Sequence, residues 1–114
     1  MLTKDELPAC PWATTIQLIG NKWKLFILRE LFLHETCRFS ELKKEIPGIS
    51  TKVLTENLRT MEEDGLVSRT VYPVVPPKVE YALTELGKTL NPIFTALGQW
   101  GEMYQNLVRS QETE

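Results

Sequence analysis

Apolar positions in the middle of the chain recur at spacings of three and four, the rhythm of a helix that buries one face. Over residues 39–46, Phe39, Leu42 and Ile46 keep that rhythm, Ser40 is placed to cap the start by accepting a backbone N–H, and Pro47-Gly48 stops it. A second helix is predicted from Thr51 to Asp64, capped by Ser50, with Gly65 standing where a left-handed residue ends a helix. At about 100° per residue, Val53, Leu54, Asn57, Leu58 and Met61 fall on its inner side, and Lys52, Thr55, Glu56 and Arg59 on its outer side. Two β-rich runs follow, Leu66 to Tyr72 and Lys78 to Leu83. Between them lie residues 73–77, whose three prolines cannot donate to a ladder and make a stiff loop. Two short helices about a tight turn and then a hairpin read as a helix-turn-helix with a wing.

The pattern differs on either side of this unit. Between Lys22 and Leu33, Trp23, Ile27 and Leu31 form one stripe and Leu25, Leu28 and Phe32 another, so the helix is apolar around most of its circumference and must be buried on two sides. Toward the C-terminus, Leu86, Leu90, Ile93, Phe94, Leu97, Trp100, Tyr104 and Leu107 recur at helical intervals, and Asn91-Pro92 is placed to break the helix and cap a new one. Gly98 and Gly101 leave a notch beside Trp100 that would admit another backbone. The winged unit lies between these helices in sequence and cannot cover both, which favours a subunit interface over an intramolecular core. Trp12, Ile16, Leu97, Trp100 and Tyr104 are the side chains expected in it. Trp12, Trp23, Phe94, Trp100 and Tyr104 could also line a ligand cavity at that seam, although aromatics at helical spacing usually pack as core. The expected fold is therefore mainly α with a small β-hairpin. It is a single domain over residues 1–114, with a winged helix-turn-helix core at 20–84 and dimerisation helices at 10–19 and 85–108. Residues from Ser110 onward, and the first few, are expected as tails.

Charge changes the picture of partners. The net charge of −2 argues against indiscriminate nucleic-acid binding, because counterion release needs a local excess of cations. From Lys22 to Lys52, however, Lys22, Lys24, Arg29, Arg38, Lys43, Lys44 and Lys52 outnumber Glu30, Glu35, Glu41 and Glu45 by three. Glu62, Glu63 and Asp64 crowd the far end of the second helix, so its N-terminal half should lead into a groove. Polar residues on an outer helix face are usually just solvated surface. A hairpin directly after the helix, with a rigid tip flanked by Lys78, favours a further use for them: Lys52, Thr55 and Arg59 toward base edges, with Ser50, Thr51 and Lys78 toward phosphate.

Several motifs carry a family resemblance. Cys10-Pro11, Gly20-Asn21-Lys22-Trp23, Arg38-Phe39-Ser40-Glu41-Leu42, Ile46-Pro47-Gly48-Ile49-Ser50, Asp64-Gly65-Leu66-Val67, Pro76-Pro77-Lys78-Val79-Glu80-Tyr81 and Leu83-Thr84-Glu85-Leu86-Gly87 resemble the HxlR-type transcriptional regulators, relatives of the MarR group. The match covers roughly residues 10 to 101. It implies a homodimeric winged helix-turn-helix that binds palindromic double-stranded operator DNA, often in response to a chemical stress or metabolite.

Candidate chemistry is sparse. Cys10 precedes Pro11 at a helix start, where exposed N–H groups favour thiolate, and it is similar by position to the N-terminal cysteine that oxidants or electrophiles attack in a number of regulators of this family. The other reading of Cys10 is a small buried apolar residue. Cys37 does not belong to the family pattern and reads as structural. His34 with Cys37 has a spacing that metals use, yet one histidine and two cysteines cannot fill a four-ligand zinc site, so no metal and no cofactor is expected. His34 reads instead as a solvated helix-end residue. No Ser-His-Asp series, Gly-rich phosphate loop or Cys-x-x-Cys pair suggests an enzyme. The polar N-terminus and the lack of an apolar run near about 18 residues argue for a cytoplasmic protein without membrane contact and with reduced cysteines. The expected function is a dimeric DNA-binding transcriptional regulator, a repressor, with an electrophile or a small molecule as inducer. The acidic pI near 5.5 keeps a second reading open, a winged-helix protein-interaction module that binds no DNA.

Overall fold

Side-chain caps decide where three of the helices begin. Asn21 Oδ1 accepts the Lys24 N–H at 2.8 Å and starts α2, Lys22–Leu33. Ser50 Oγ accepts the Val53 N–H at 3.1 Å and starts α4, Thr51–Glu63. Thr84 Oγ1 accepts the Gly87 N–H at 3.0 Å at the head of the short α5, Glu85–Lys88. Ahead of these, α1, Pro11–Ile19, opens with proline at its first position, where a missing N–H costs nothing. The helix between, α3, Phe39–Glu45, corrects the expectation that Ser40 is its cap. Arg38 holds the cap position and Glu41 Oε1 reaches back to its N–H at 2.9 Å, so Ser40 already lies in the first turn.

The computed structural model describes residues 1–112. A 3-10 turn, Lys4–Glu6, precedes α1; β1, Val67–Tyr72, and β2, Lys78–Leu83, follow α4; α5 and α6, Asn91–Glu112, close the chain. The strands pair antiparallel from Val67↔Leu83 to Tyr72↔Lys78. Cys37 adds a bridge to Tyr81, with N–H···O bonds of 2.9 and 2.8 Å in the two directions. At the end of α4, Gly65 takes φ +79°, the Leu66 N–H reaches the Met61 carbonyl and the Gly65 N–H reaches that of Glu62. This is a left-handed helix stop that hands the chain directly to β1.

The core gathers Ile27, Leu28 and Leu31 of α2, Leu42 of α3 and Ile46 just after it, Leu54, Leu58 and Met61 of α4, and Leu66, Val67 and Leu83 around the hairpin. Val53 and Asn57, expected on the same inner face, are only half-buried at its edge. The second apolar side of α2 is met in part by α6, with the Phe32 and Phe94 rings 5.1 Å apart. Leu33 stays exposed. The break before α6 falls where it was expected. Asn91, though, is the first helical residue and no cap; the Leu90 carbonyl receives the N–H groups of Ile93 and Phe94. The tail expected from Ser110 is helical as far as Glu112, since no glycine or proline after Gly101 stops it, while Thr113 and Glu114 lie outside the described residues.

Beyond Phe94, α6 leaves the body. The radius of gyration is 16.5 Å, whereas a compact chain of this length has about 13 Å. Truncating the centre of the core should cost far more than removing a cap. Leu54→Ala is expected to lower stability by about 2–5 kcal/mol and Ser50→Ala by about 1 kcal/mol. Urea unfolding followed by circular dichroism checks both, and equal midpoints for the two variants would contradict this packing.

Candidate nucleic-acid interface

Burial of Leu54, Leu58 and Met61 turns the opposite face of α4 outward. Lys52 and Arg59 are exposed on it and Thr55 is half-buried between them. Arg59 makes no hydrogen bond or ion pair among the described residues. Lys52 Nζ lies 4.0 Å from Glu56 Oε1, a solvated pair of little strength, so its charge remains available. The Thr55 hydroxyl donates to the Thr51 carbonyl at 2.7 Å, which leaves its oxygen lone pairs and methyl group for a partner. Ser50 uses an oxygen lone pair on its cap and keeps its O–H as a donor, and Thr51 beside it is exposed.

A polar chain sets the register of this helix. Asn21 Nδ2 donates to Asn57 Oδ1 at 3.3 Å, and Asn57 Nδ2 donates to the Val53 carbonyl at 2.8 Å. The residue that caps α2 thus also touches α4. Hydrophobic periodicity places Asn57 on the inner face but does not reveal this link; the signal for it is an amide at the start of α2 and another at the edge of the α4 core.

Charge is divided along the molecule. Lys24, counted in the basic surplus, is 7% exposed with its stem in the core, and Glu30 is 6% exposed. Both leave the surface, so Lys22, Arg29, Arg38, Lys43, Lys44 and Lys52 still exceed the exposed Glu35, Glu41 and Glu45 by three. Glu62 and Glu63 are exposed at the other end of α4, where the Met1 ammonium donates to the Glu63 carbonyl. At the wing, Val74 and Val75 are exposed at the tip. Lys78 Nζ bonds Glu80 Oε1 at 2.8 Å. That ammonium holds the Glu80 carboxyl below the usual carboxylate range, against a smaller opposing push from burial. Glu80, named in the sequence only within a family motif and given no role there, is therefore part of the wing's chemistry.

The two thiols lie in opposite settings. Cys10 is exposed at the cap of α1, and its carbonyl receives the Thr14 N–H at 3.2 Å and hydroxyl at 3.3 Å. The buried apolar reading of Cys10 is corrected by that exposure. Cys37 is buried, with Sγ 3.8 Å from the Glu30 carbonyl. Burial, and then the Glu41 and Glu30 charges, push its thiol up to about 11. His34 caps the C-terminal end of α2, exposed, its backbone N–H on the Glu30 carbonyl at 3.0 Å. Among the described residues no set of three or more His, Cys, Asp and Glu is placed to hold a metal ion.

On the flanks, Trp12 is 81% exposed and Ile16, Leu97, Trp100 and Tyr104 are all exposed, with the Trp100 and Tyr104 rings stacked 5.6 Å apart. Within one chain these side chains are not core. Trp23 and Phe94 are, in part. An apolar cavity near α1 is lined by Leu2, Leu7, Leu18, Leu66, Leu86 and Leu90 and by none of the five aromatic residues proposed for a ligand seam, while Trp100 alone of the five lines an open apolar groove on α6 with Ile93 and Leu97. Gly98 and Gly101 face open space.

An exposed helix carried on a helical turn, with a two-stranded hairpin beside it, defines a winged helix-turn-helix. The chain belongs to the HxlR-like helix-turn-helix family, whose profile matches residues 18–109. It is similar to the HTH-type transcriptional regulator YdeP of Bacillus subtilis strain 168, 43% identical over 110 residues that cover 96% of this chain and 85% of the relative. Among solved structures it resembles the redox regulator HypR. In the reduced form the match has a TM-score of 0.82 and 42% identity over 89% of this chain and 99% of that one. In the oxidised form the TM-score is 0.78, with 45% identity over 82% and 96%. It also resembles diamide-treated YodB from B. subtilis, with TM-score 0.70 and 34% identity over 86% and 97%. The protein is an HTH-type transcriptional regulator and no enzyme. No helix among the described residues is long and apolar enough to cross a membrane.

The raised thiol of Cys37 has a measurable sign. A folded-state value above the unfolded one of about 8.5 keeps this thiol protonated at neutral pH, and the stability it contributes is lost as pH climbs from about 9 toward 11. Iodoacetamide at pH 7.5 should label Cys10 and spare Cys37 in the native protein, with peptide mass mapping as the check. Equal labelling of both would contradict the burial of Cys37.

Proposed function

We propose that this regulator binds palindromic operator DNA as a homodimer and represses by occupying it. The observation that carries the reading is the outward face of α4 that presents Lys52, Thr55 and Arg59. Two cations stand there against the single carboxylate of Glu56, Arg59 is unpaired among the described residues, and the helix is held in register by the Asn21–Asn57 bond. Arg59 and Lys52 read base edges with Thr55 between them, Ser50 and Thr51 donate to phosphate at the helix start, and Lys78 meets the backbone beside the wing. The anionic C-terminal end of α4 keeps that end out of the groove. The protein-interaction alternative is less favoured, since Glu62 and Glu63 lie at the far end of α4 and the one carboxylate on this face, Glu56, stands against Lys52 and Arg59.

The dimer seam is proposed along α1 and α6, over Trp12, Ile16, Leu97, Trp100 and Tyr104. These are large apolar side chains that a single chain leaves in water, at a cost that burial against a second copy removes. Such a dimer sets two α4 helices about 34 Å apart, one turn of DNA. Cys10 opens α1, next to Trp12, so a change there acts on the seam. Its exposure, its place at a helix start and the likeness to a redox regulator and to a diamide-treated regulator support it as the responsive thiol, either adding to an electrophile with loss of its proton to water, or adding across the N=N bond of diamide to an adduct that a second thiol displaces, giving a disulfide and the hydrazine.

Two measurements test these roles. With a genomic fragment that the wild type shifts, Arg59→Ala should lose about 1–3 kcal/mol of specific binding, and Trp100→Glu should sediment as a monomer and lose cooperative binding. A wild type that is monomeric at micromolar concentration, or unchanged affinity in Arg59→Ala, would overturn the assignment. Separately, diamide should weaken operator binding by wild type and by Cys37→Ser but spare Cys10→Ser. Loss that persists without Cys10 would exclude it as the sensor.

A further inference from the structure

The stem of the wing holds a network that groove reading does not require. Lys78 and Glu80 are two apart on β2 and so share a face, and Tyr72 stands across the hairpin from Lys78. The Lys78 ammonium lies 2.8 Å from Glu80 Oε1 and 5.1 Å from the centre of the Tyr72 ring, while the Tyr72 hydroxyl bonds Glu80 Oε2 at 3.4 Å. The carboxylate is thus gripped at both oxygens. The Glu80 side chain is 16% exposed, against 56% for Glu56 in the loose pair on α4. Water competes less for this pair than for that one. Arg38, at the start of α3, lines with Lys78 a cleft between the wing and α3, and its charge reaches Glu80.

A carboxylate and a phosphate oxygen ask the same thing of an ammonium, a short charge-assisted hydrogen bond. A cation already paired with a carboxylate releases few counterions when it reaches DNA, so it adds little to sequence-independent affinity. Resting on the DNA-binding reading above, we propose that Glu80 is a positioning residue that acts through Lys78. It competes with a DNA phosphate for the ammonium, so that the contact of Lys78 with the backbone is weakened but not lost, and thereby lowers the affinity of the wing for duplex DNA of any sequence. Base-edge contacts from α4 then account for a larger share of total binding, so Glu80 sets specificity without touching a base.

The test measures binding to a short duplex of mixed sequence between about 50 and 200 mM salt, for wild type, Glu80→Gln, Glu80→Ala, Lys78→Ala and the double variant Lys78→Ala/Glu80→Gln. Circular dichroism melts establish that each is folded. Glu80→Gln keeps a partner for Tyr72 but not the charge. It should bind about three-fold tighter at the low-salt end, with a salt slope steeper by up to about 0.9, the increment of one full phosphate contact. Glu80→Ala should move in the same direction, which keeps the test available should one variant misfold. The double variant should lose both gains, so removing Lys78 costs more affinity in the Glu80→Gln background than in the native one. Native or weaker binding with a native slope in both single Glu80 variants overturns the proposal, as does a gain that survives without Lys78. A wild type with no affinity for duplex DNA at any of these salt concentrations removes the DNA-binding reading itself, and this proposal with it.

Discussion

The structure depends on the burial of one stripe of α4 against α2. Leu54, Leu58 and Met61 lie on Ile27, Leu28 and Leu31, each buried nearly completely. A side chain of this size stabilises the fold by roughly 1.5–3 kcal/mol when it leaves water. No single polar contact in the molecule competes with their sum. The direction in which Lys52, Thr55 and Arg59 point is therefore a consequence of what the other side of the helix hides. The Asn21–Asn57 bond then adds register, since it joins the cap of α2 to the flank of α4 and resists rotation about the helix axis.

Within that frame an acidic chain can still present a cationic surface. Core packing withdraws Lys24 and Glu30 together, one of each sign, and leaves the surplus around the turn intact. Glu62 and Glu63 lie past Met61, where the chain turns into the hairpin and away from the N-terminal half, and of the carboxylates of α4 Glu56 alone stays beside Lys52. A local field of this kind favours binding that depends on orientation, because the molecule as a whole, at −2, gains nothing from DNA.

The elements were legible where a local residue decides them. Ser50, Gly65 and the prolines of 73–77 each impose a backbone constraint that needs no partner, and the helix and strands they bound fall within a residue of where periodicity puts them. Ser40 misled because Glu41 is also a cap former, and the carboxylate reaching back from the third helical position wins when Arg38 is extended. Lys24 misled because charge counting ignores the stem, four methylenes long, which packs as well as any aliphatic chain. Asn57 and Glu80 were beyond reach for a different reason. Their roles are pairwise and tertiary, with Asn21 36 residues away and with Tyr72 across a hairpin, and a one-dimensional pattern carries faces but not partners.

The flanks follow a related logic. A helix that leaves the body after Phe94 with Leu97, Trp100, Tyr104 and Leu107 still in water has more apolar surface than this body can cover. Trp12 and Ile16 show the same excess on α1. Cys10 shares α1 with them, so an adduct there bears on the proposed seam and leaves the core untouched. Cys37 is the reverse case, buried among the core residues and bridged through its backbone to Tyr81. Its burial and its raised thiol both disfavour modification at neutral pH. Modification at Cys10 can shift operator affinity only as far as the adduct fits the competent and incompetent dimers unequally. In the proposed dimer the seam is where such inequality would arise, because the spacing of the two α4 helices would depend on how the two copies fit there.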